Sequence, residues 1–247
     1  MLFRSSQVFD AVVSSDFFAS LPNFDILNAE LKFEIESVDD YEDALDVTRR
    51  WVKEKQFRIG VHLLRRISNT EEAAFAYSNV AEACLANLFP AVCRNFSRRY
   101  GPSPGKGAAV IAMGKLGSRE MTASSDLDLI MVYDAEGAEF SDGPKQLAIT
   151  TYFARLTQAL LSALTVPTSE GALYDVDMRL RPSGRRGPVA TSIKAFRDYQ
   201  MNEAWTWELL ALSRARVVAG KPELANDVRD AMRSEERRVG KECRSRW

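Results

Sequence analysis

Residues 108–134 read AAVIAMGKLGSREMTASSDLDLIMVYD, with two apolar runs on either side of a glycine-bearing polar stretch. The runs at 108–113 and 127–132 are short and rich in aliphatic residues, which favours buried strands over helices. The glycines and polar residues between them predict a turn followed by a short helix. The segment therefore predicts a strand–helix–strand unit within a small sheet.

The pattern after this unit continues to alternate between helix and strand periodicities. An amphipathic helix is predicted over residues 146–164 and a third strand over residues 172–180. A glycine-flanked loop at residues 184–187 separates that strand from a further helix over residues 193–213. The expected order is strand, helix, strand, helix, strand and helix.

The preceding part of the chain has a helical pattern, with apolar residues recurring at spacings of three and four. Residues 68–72, SNTEE, are typical of a helix start, and Pro90 predicts an interruption of the helix that follows. The linker at residues 101–107, GPSPGKG, marks a change of pattern. We therefore expect an α+β chain with a helical region at residues 1–100 and a second domain at residues 101–232.

Residues 233–247, RSEERRVGKECRSRW, differ from the rest of the chain in pattern. They include six basic and three acidic residues and lack apolar periodicity. The string resembles the translation of a sequencing adapter, so we interpret it as a non-native tail and exclude it from the fold prediction. A basic surface tail is the alternative interpretation.

Composition is typical of an ordinary globular protein. The chain has 247 residues, 46% of them apolar, and its 33 basic and 34 acidic residues leave a net charge of -1. No run approaches the ~20 apolar residues of a membrane span, and the first residues lack a signal-peptide pattern. Three cysteines without metal-ligand spacing and a single histidine disfavour a zinc site or a histidine-based triad. We expect a cytoplasmic protein with no membrane or nucleic-acid partner.

Asp126 and Asp128 are the first candidate functional residues. Side chains two apart on a strand share one face, whereas Leu127 and Leu129 point to the other side. Two carboxylates ~4 Å apart repel by about 4 kcal/mol at an effective dielectric constant of about 20, so the pair should hold a proton or a cation. Magnesium suits oxygen ligands of this kind. Two exposed aspartates at the end of a strand remain the alternative.

The turn before these acids is a candidate phosphate site. Gly114, Gly117 and Ser118 offer close backbone approach, N–H groups and a hydroxyl. Lys115 and Arg119 add positive charge, unless they are solvated turn residues. The turn therefore predicts a position for a phosphate beside the two carboxylates.

The order of these features resembles the signature of the DNA polymerase beta-like nucleotidyltransferases: an apolar residue, Gly-Ser, seven intervening residues and Asp-apolar-Asp-apolar. In that superfamily a third acid comes from a later strand, and Asp177 stands in that place here. Alternation puts Arg179 and Arg181 on the same face as Asp177, where they suit phosphate oxygens or pair with nearby carboxylates. The resemblance implies a polymerase beta-like core with a small mixed sheet and flanking helices.

Three longer runs resemble the bacterial glutamine synthetase adenylyltransferases more closely. The likeness covers about residues 39–220 and is most specific within residues 113–216. Family proteins are several times longer than this chain, which implies that the chain is a fragment. The three runs are GKLGSREMTASSDLDLIMVYD (114–134), LYDVDMRLRPSGRRGPVATS (173–192) and FRDYQMNEAWTWELLALSRARVVAG (196–220).

Two features indicate the transferase half of this bifunctional family rather than the adenylyl-removing half. Residues 181–184 read RPSG, where the removing half usually has Phe after the proline, and residues 202–208, NEAWTWE, are absent from that half. The resemblance implies transfer of AMP from ATP to a tyrosine hydroxyl of glutamine synthetase, with pyrophosphate leaving. The adenylyl-removing reaction and a non-catalytic nucleotide-binding module are the alternatives.

The resemblance also implies roles for individual residues. Asp126 and Asp128 would bind two magnesium ions, and Asp177 would be the third acid, acting as a base for the tyrosine proton or only as a metal ligand. Gly117 and Ser118 would hold the ATP phosphates. Two-metal chemistry of this kind needs no histidine. The family further implies a PII-type signal protein as a partner of the full-length enzyme.

Four further residues admit a structural and a functional interpretation. Arg185 and Arg186, in the glycine-flanked loop, are solvated charges or a docking site for a protein substrate. Trp205 and Trp207 cannot both face the same side of a helix. We therefore expect one of them in the core and the other in contact with a further domain.

Overall fold

The computed structural model describes residues 17–245, apart from the side chains of Arg185 and of residues 234–245. Predictions for residues 1–16 and 246–247, which concern part of the helical region and part of the tail, lie outside the described residues. The helices are α1 (Phe24–Glu36), α2 (Tyr41–Leu64), α3 (Thr70–Tyr100), α4 (Gly114–Ser118), α5 (Ile149–Thr165), α6 (Ile193–Asn202), α7 (Thr206–Leu212) and α8 (Pro222–Ser245). The strands are β1 (Gly107–Ala112), β2 (Leu127–Asp134), β3 (Val176–Asp177), β4 (Ala190–Ser192) and β5 (Arg216–Gly220), and a 3-10 turn covers Gly184–Arg186.

Helix α3 begins where the sequence predicts a helix start. Asn69 Oδ1 accepts a hydrogen bond from Glu72 N, and Glu72 Oε2 accepts one from Asn69 N, each at 2.9 Å. The interruption predicted at Pro90 is wrong, because α3 continues through this residue. Proline removes one hydrogen bond from the helix, and burial of the neighbouring residues Phe89 and Val92 in the core offsets that loss.

The sheet is mixed, with the strand order β3–β2–β1–β5, and β4 also pairs with β2. Strand β1 is antiparallel to β2 and β5, whereas β3 and β4 are parallel to β2. The strands predicted at residues 108–113 and 127–132 correspond to β1 and β2, with ends that differ by one or two residues. The helix predicted at residues 146–164 corresponds to α5. The α+β class, with a small mixed sheet and flanking helices, is confirmed.

Helices cover both faces of this sheet. On β1, Ala108 and Val110 belong to a core shared with α1, α2, α3 and α5, whereas Ala109 and Ile111 belong to a second core with α6 and α8. This alternation follows from the two-residue period of a strand. The larger core joins the N-terminal helices directly to the sheet. None of the helices in the described part of the chain is long and apolar enough to cross a membrane.

The third strand is shorter than the sequence predicts. Of residues 172–180, only Val176–Asp177 form a strand beside β2. Asp177 Oδ1 accepts a hydrogen bond from Arg179 N at 2.8 Å, and this turn leads the chain away from the sheet. The predicted alternation that placed Arg179 and Arg181 on one strand face is therefore wrong beyond Asp177.

The helix predicted over residues 193–213 is broken into α6 and α7. Tyr199 O accepts hydrogen bonds from the N–H groups of both Glu203 and Ala204, which ends α6. The sequence pattern also does not predict the short strands β4 and β5. Helix α8 runs through residues 232–233, the predicted start of the non-native tail, and the domain boundaries stay predictions.

Arg49 joins α2 to the end of α5 and is fully buried. Its Nη2 donates to Ala163 O at 2.8 Å and to Val166 O at 2.9 Å, and its Nε donates to Gly171 O at 2.8 Å. The guanidinium thus satisfies carbonyl groups at the end of α5 that the helix itself leaves without donors. Its positive charge is also favourable at a helix C-terminus.

We expect the substitution Arg49→Met to lower the free energy of unfolding by about 3–5 kcal/mol, because it leaves buried carbonyl groups without donors. Urea unfolding followed by circular dichroism measures this change. The control is Arg50→Met, which removes a partly exposed ion pair with Glu170 and should cost about 1 kcal/mol or less. Equal unfolding free energies for the two variants would contradict the role assigned to Arg49.

Candidate functional site

Two of the sequence-predicted acids lie side by side where β2 pairs with β3. The parallel register matches Leu127 with Val176 and Asp128 with Asp177. Paired residues on neighbouring strands point to the same face of the sheet, so Asp128 and Asp177 share a face. Asp126 immediately precedes β2 and is exposed. The backbone register thus brings Asp128, two residues after Asp126 along the chain, next to Asp177.

The electrostatic interactions of Asp128 also show that these three acids lie near one another. Burial is the largest cause that raises the pKa of Asp128 above its usual value, and the negative charges of Asp126 and Asp177 raise it further. The positive charges of Arg179 and Lys115 act in the opposite direction. Four of the other sequence-predicted site residues therefore lie within electrostatic range of the half-buried Asp128 carboxylate.

Asp177 uses its carboxylate to hold the turn that follows it. Its Oδ2 accepts from Arg179 Nε at 2.5 Å and also forms an ion pair with the Arg179 guanidinium. The Asp177 side chain is only 15% exposed, whereas that of Arg179 is 65% exposed. The guanidinium therefore lies at the surface, between a shielded carboxylate and solvent.

The carboxylates are suitable ligands for a divalent cation, but their present arrangement does not form a complete metal site. Among the side chains that the structure describes, which end at Arg233, no group of three or more His, Cys, Asp or Glu residues is arranged to hold a metal ion. Carboxylate oxygens are nonetheless the ligands that Mg²⁺ prefers, and the like charges around Asp128 would be offset by a cation. Asp177 would have to exchange its contact with the exposed Arg179 for the metal.

Gly114 allows the turn to lie directly against Asp128. A Cβ atom at Gly114 would lie 2.1 Å from Asp128 Oδ2, and the backbone φ of Gly114 is +50°. Both observations require glycine, because a side chain would overlap the carboxylate and a positive φ is unfavourable for other residues. Helix α4, which begins at Gly114, is thus held next to the acids.

Gly117 and Ser118 occupy different environments within α4. Gly117 N donates to Met113 O at 2.8 Å, and a Cβ at Gly117 would lie 2.7 Å from Arg214 O. Gly117 therefore serves close packing, and its N–H already has a partner. Ser118 Oγ contacts Gly114 O at 3.1 Å and Glu120 Oε2 at 2.8 Å and is half-buried. The Ser118 hydroxyl and the exposed Lys115 ammonium are the groups of this turn that a phosphate could reach.

Arg181 holds the loop that carries the 3-10 turn. Its Nη1 donates to Met178 O at 2.7 Å and its Nε to Gly187 O at 3.4 Å. Arg181 thus closes the loop at residues 182–187. In the same loop Arg186 is exposed.

The two tryptophans of the predicted family run are both at the surface. Trp205 is 71% exposed and Trp207 is 57% exposed. The prediction that one of them lies in the core is therefore wrong. The break between α6 and α7 explains the difference, because Trp205 precedes α7 and lies outside the single long helix that the prediction assumed.

Two residues that support the site are missed by the sequence analysis. Arg216, at the start of β5, donates from Nε to Gly117 O at 2.9 Å and from Nη2 to Leu116 O at 3.0 Å. Glu82 of α3 accepts from Arg216 Nη1 at 2.6 Å and is itself buried. A single charge within the apolar run at residues 80–85 was the available signal for Glu82, because a buried charge requires a partner.

The family of the chain follows from comparison with known proteins. A family model described as glutamate-ammonia ligase adenylyltransferase matches residues 1–231. A protein from Rhodopseudomonas palustris strain TIE-1 is 46% identical over 235 residues, which is 95% of this chain and 24% of that protein. A protein from Brucella suis biovar 1 is 48% identical over 218 residues, 88% of this chain and 22% of that protein.

Both relatives are named bifunctional glutamine synthetase adenylyltransferase/adenylyl-removing enzyme. A relative with the same name from Bradyrhizobium diazoefficiens is 45% identical over 234 residues. The chain spans about a quarter of the length of these relatives. The carboxylates beside the glycine turn agree with this likeness. The family model matches almost the whole chain, and the chain therefore belongs to the glutamate-ammonia ligase adenylyltransferase family.

Proposed function

We propose that this chain carries the nucleotidyl transfer site that moves AMP from ATP to a tyrosine hydroxyl of glutamine synthetase, with release of pyrophosphate. The observation that carries the proposal is the register of β2 and β3, which puts Asp128 beside Asp177 close to Asp126. The names of the relatives supply the protein substrate. We also propose a cytoplasmic location for the chain and a PII-type signal protein as a partner of the longer family protein.

In the proposed complex, the exposed groups of the turn bind the phosphates of ATP. Lys115 contributes an ammonium and Ser118 a hydroxyl, and Arg179 contributes a guanidinium fork suited to phosphate oxygens. Gly114 lets this turn lie close to Asp128, and Gly117 lets it pack against Arg214 O. Arg181 contributes indirectly, because it closes the loop at residues 182–187, which follows the turn after β3.

Asp126, Asp128 and Asp177 are the residues that would bind magnesium. When bound there, Mg²⁺ would stabilise the negative charge that develops on the phosphate oxygens and lower the pKa of the attacking hydroxyl. Arg179 would leave Asp177 and turn to the phosphate chain, because its side chain is largely exposed. Asp177 would accept the proton of the incoming tyrosine or serve only as a metal ligand.

We expect Asp128→Asn to lower AMP transfer by roughly 100-fold or more while the unfolding free energy stays close to that of the wild type. The measurement is transfer of label from α-labelled ATP to unmodified glutamine synthetase in the presence of magnesium. The matched control is Asp134→Asn at the far end of β2, where the carboxylate contacts Lys106 instead and activity should stay within about twofold. Full activity of Asp128→Asn would contradict the proposal.

We expect Gly114→Ala to reduce transfer by at least about 10-fold, because the new methyl group displaces the Asp128 carboxylate. Gly137→Ala is the control, since Gly137 also has a positive φ but a Cβ there would meet no atom within 4 Å. Both variants should lose about 1 kcal/mol of stability from the backbone conformation. The proposed role of Gly114 fails if the two variants transfer AMP equally well.

The adenylyl-removing reaction is the second candidate, because the names of the relatives include it. The two reactions differ in their substrates. We expect labelled AMP to appear on unmodified glutamine synthetase when ATP is supplied, and no release of ADP from modified glutamine synthetase when inorganic phosphate is supplied. The reverse result would assign the chain to the adenylyl-removing half.

A further inference from the structure

A network of charged side chains contacts the C-terminal end of α4. The Arg216 guanidinium donates through Nε to Gly117 O and through Nη2 to Leu116 O, at 2.9 and 3.0 Å. Its third nitrogen, Nη1, donates to Glu82 Oε2 at 2.6 Å. One planar group thus joins the last turn of α4 to helix α3.

Helix α4 depends on contacts with other elements for its stability and position. It is a five-residue helix, and helices of this length are unstable without tertiary contacts. Its C-terminal carbonyl groups are bonded to the Arg216 guanidinium, and Gly117 packs against Arg214 O. The position of the next residue, Ser118, therefore depends on β5 and on the Arg216 side chain at its start.

Glu82 fixes the Arg216 side chain in turn. Glu82 is 8% exposed and also lies 3.4 Å from Arg119 Nη2. Arg119 donates from Nη1 to Asn79 Oδ1 at 3.1 Å and stacks on Phe75 at 4.7 Å. A buried carboxylate shared by two arginines is held in one orientation, because each lost contact would leave charge unpaired. Helix α3 is thereby connected through Glu82 and Arg216 to the turn of the site.

We propose that Arg216 is a positioning residue for ATP binding, which fixes α4 so that Lys115 and Ser118 face the nucleotide phosphates. The inference rests on the proposed function and assigns to Arg216 no contact with the nucleotide. It also gives the N-terminal helices a part in the site, since Glu82 of α3 orients Arg216. Loss of this support leaves the phosphate-binding groups present but poorly placed.

The test compares Arg216→Met with Arg49→Met, because each variant removes a guanidinium that donates to several backbone carbonyl groups. Arg49 holds the end of α5 and is remote in its contacts from α4. Binding of a fluorescent ATP analogue with magnesium is measured for each variant of the whole chain. The KM for ATP and kcat are then determined separately. Unfolding by urea gives the stability of each.

We expect Arg216→Met to weaken binding of the analogue and to raise the KM for ATP by about 10-fold or more, with a smaller change in kcat. Arg49→Met should lose stability but bind the analogue within about twofold of the wild type. Arg216→Lys should fall between Arg216→Met and the wild type, because an ammonium keeps the charge beside Glu82 but lacks the planar fork.

Glu82→Gln provides a second variant if Arg216→Met does not fold, since it keeps the size of the side chain and one acceptor oxygen. We expect it to weaken analogue binding by about 3-fold or more. Unchanged binding by the folded Arg216 or Glu82 variants, or equal weakening by Arg49→Met, would overturn the inference. A wild-type chain that binds the analogue but transfers no AMP would instead reject the proposed function and leave the positioning role standing.

Discussion

The parallel pairing of β2 with β3 is the contact on which the proposed site depends. It consists of two residue pairs, and the second brings the Asp128 and Asp177 carboxylates to one face of the sheet. Burial and like charge both oppose ionisation of Asp128, as its raised pKa shows. Such a cluster is stable only when positive charge offsets it. In this chain Arg179 offsets the charge of Asp177, and in the proposed complex magnesium and ATP change that pairing.

The support for this pairing extends through the whole fold. The larger core joins α1, α2 and α3 to the sheet, so the helical region and the site cannot move independently. Polar contacts of Arg216 with Glu82 and with the end of α4 also join α3 to the site. The glycines of the turn then fix how closely α4 approaches the acids. The helices thus contribute to the site by restricting where its charged groups lie.

The sequence predicted the parts of this arrangement that depend on local pattern. Strands β1 and β2 carry enough apolar residues to be recognised alone, and Asp126 and Asp128 followed from the second of them. Strand β4 was not predicted, and the predicted third strand is reduced to the two residues of β3, because strands this short exist only through pairing with β2. The roles of Arg216 and Glu82 were not predicted for a related reason: the contact between them joins residues 134 positions apart in the sequence.

The most direct test is a crystal structure of the chain with Mn²⁺ and a non-hydrolysable ATP analogue, in which anomalous scattering locates the metal. If these acids serve as metal ligands, we expect an anomalous peak about 2.0–2.2 Å from carboxylate oxygens of both Asp128 and Asp177. We also expect Arg179 to contact the phosphates. A structure in which nucleotide is bound while Asp177 keeps its pairing with Arg179, and no metal lies between the strands, would contradict this account.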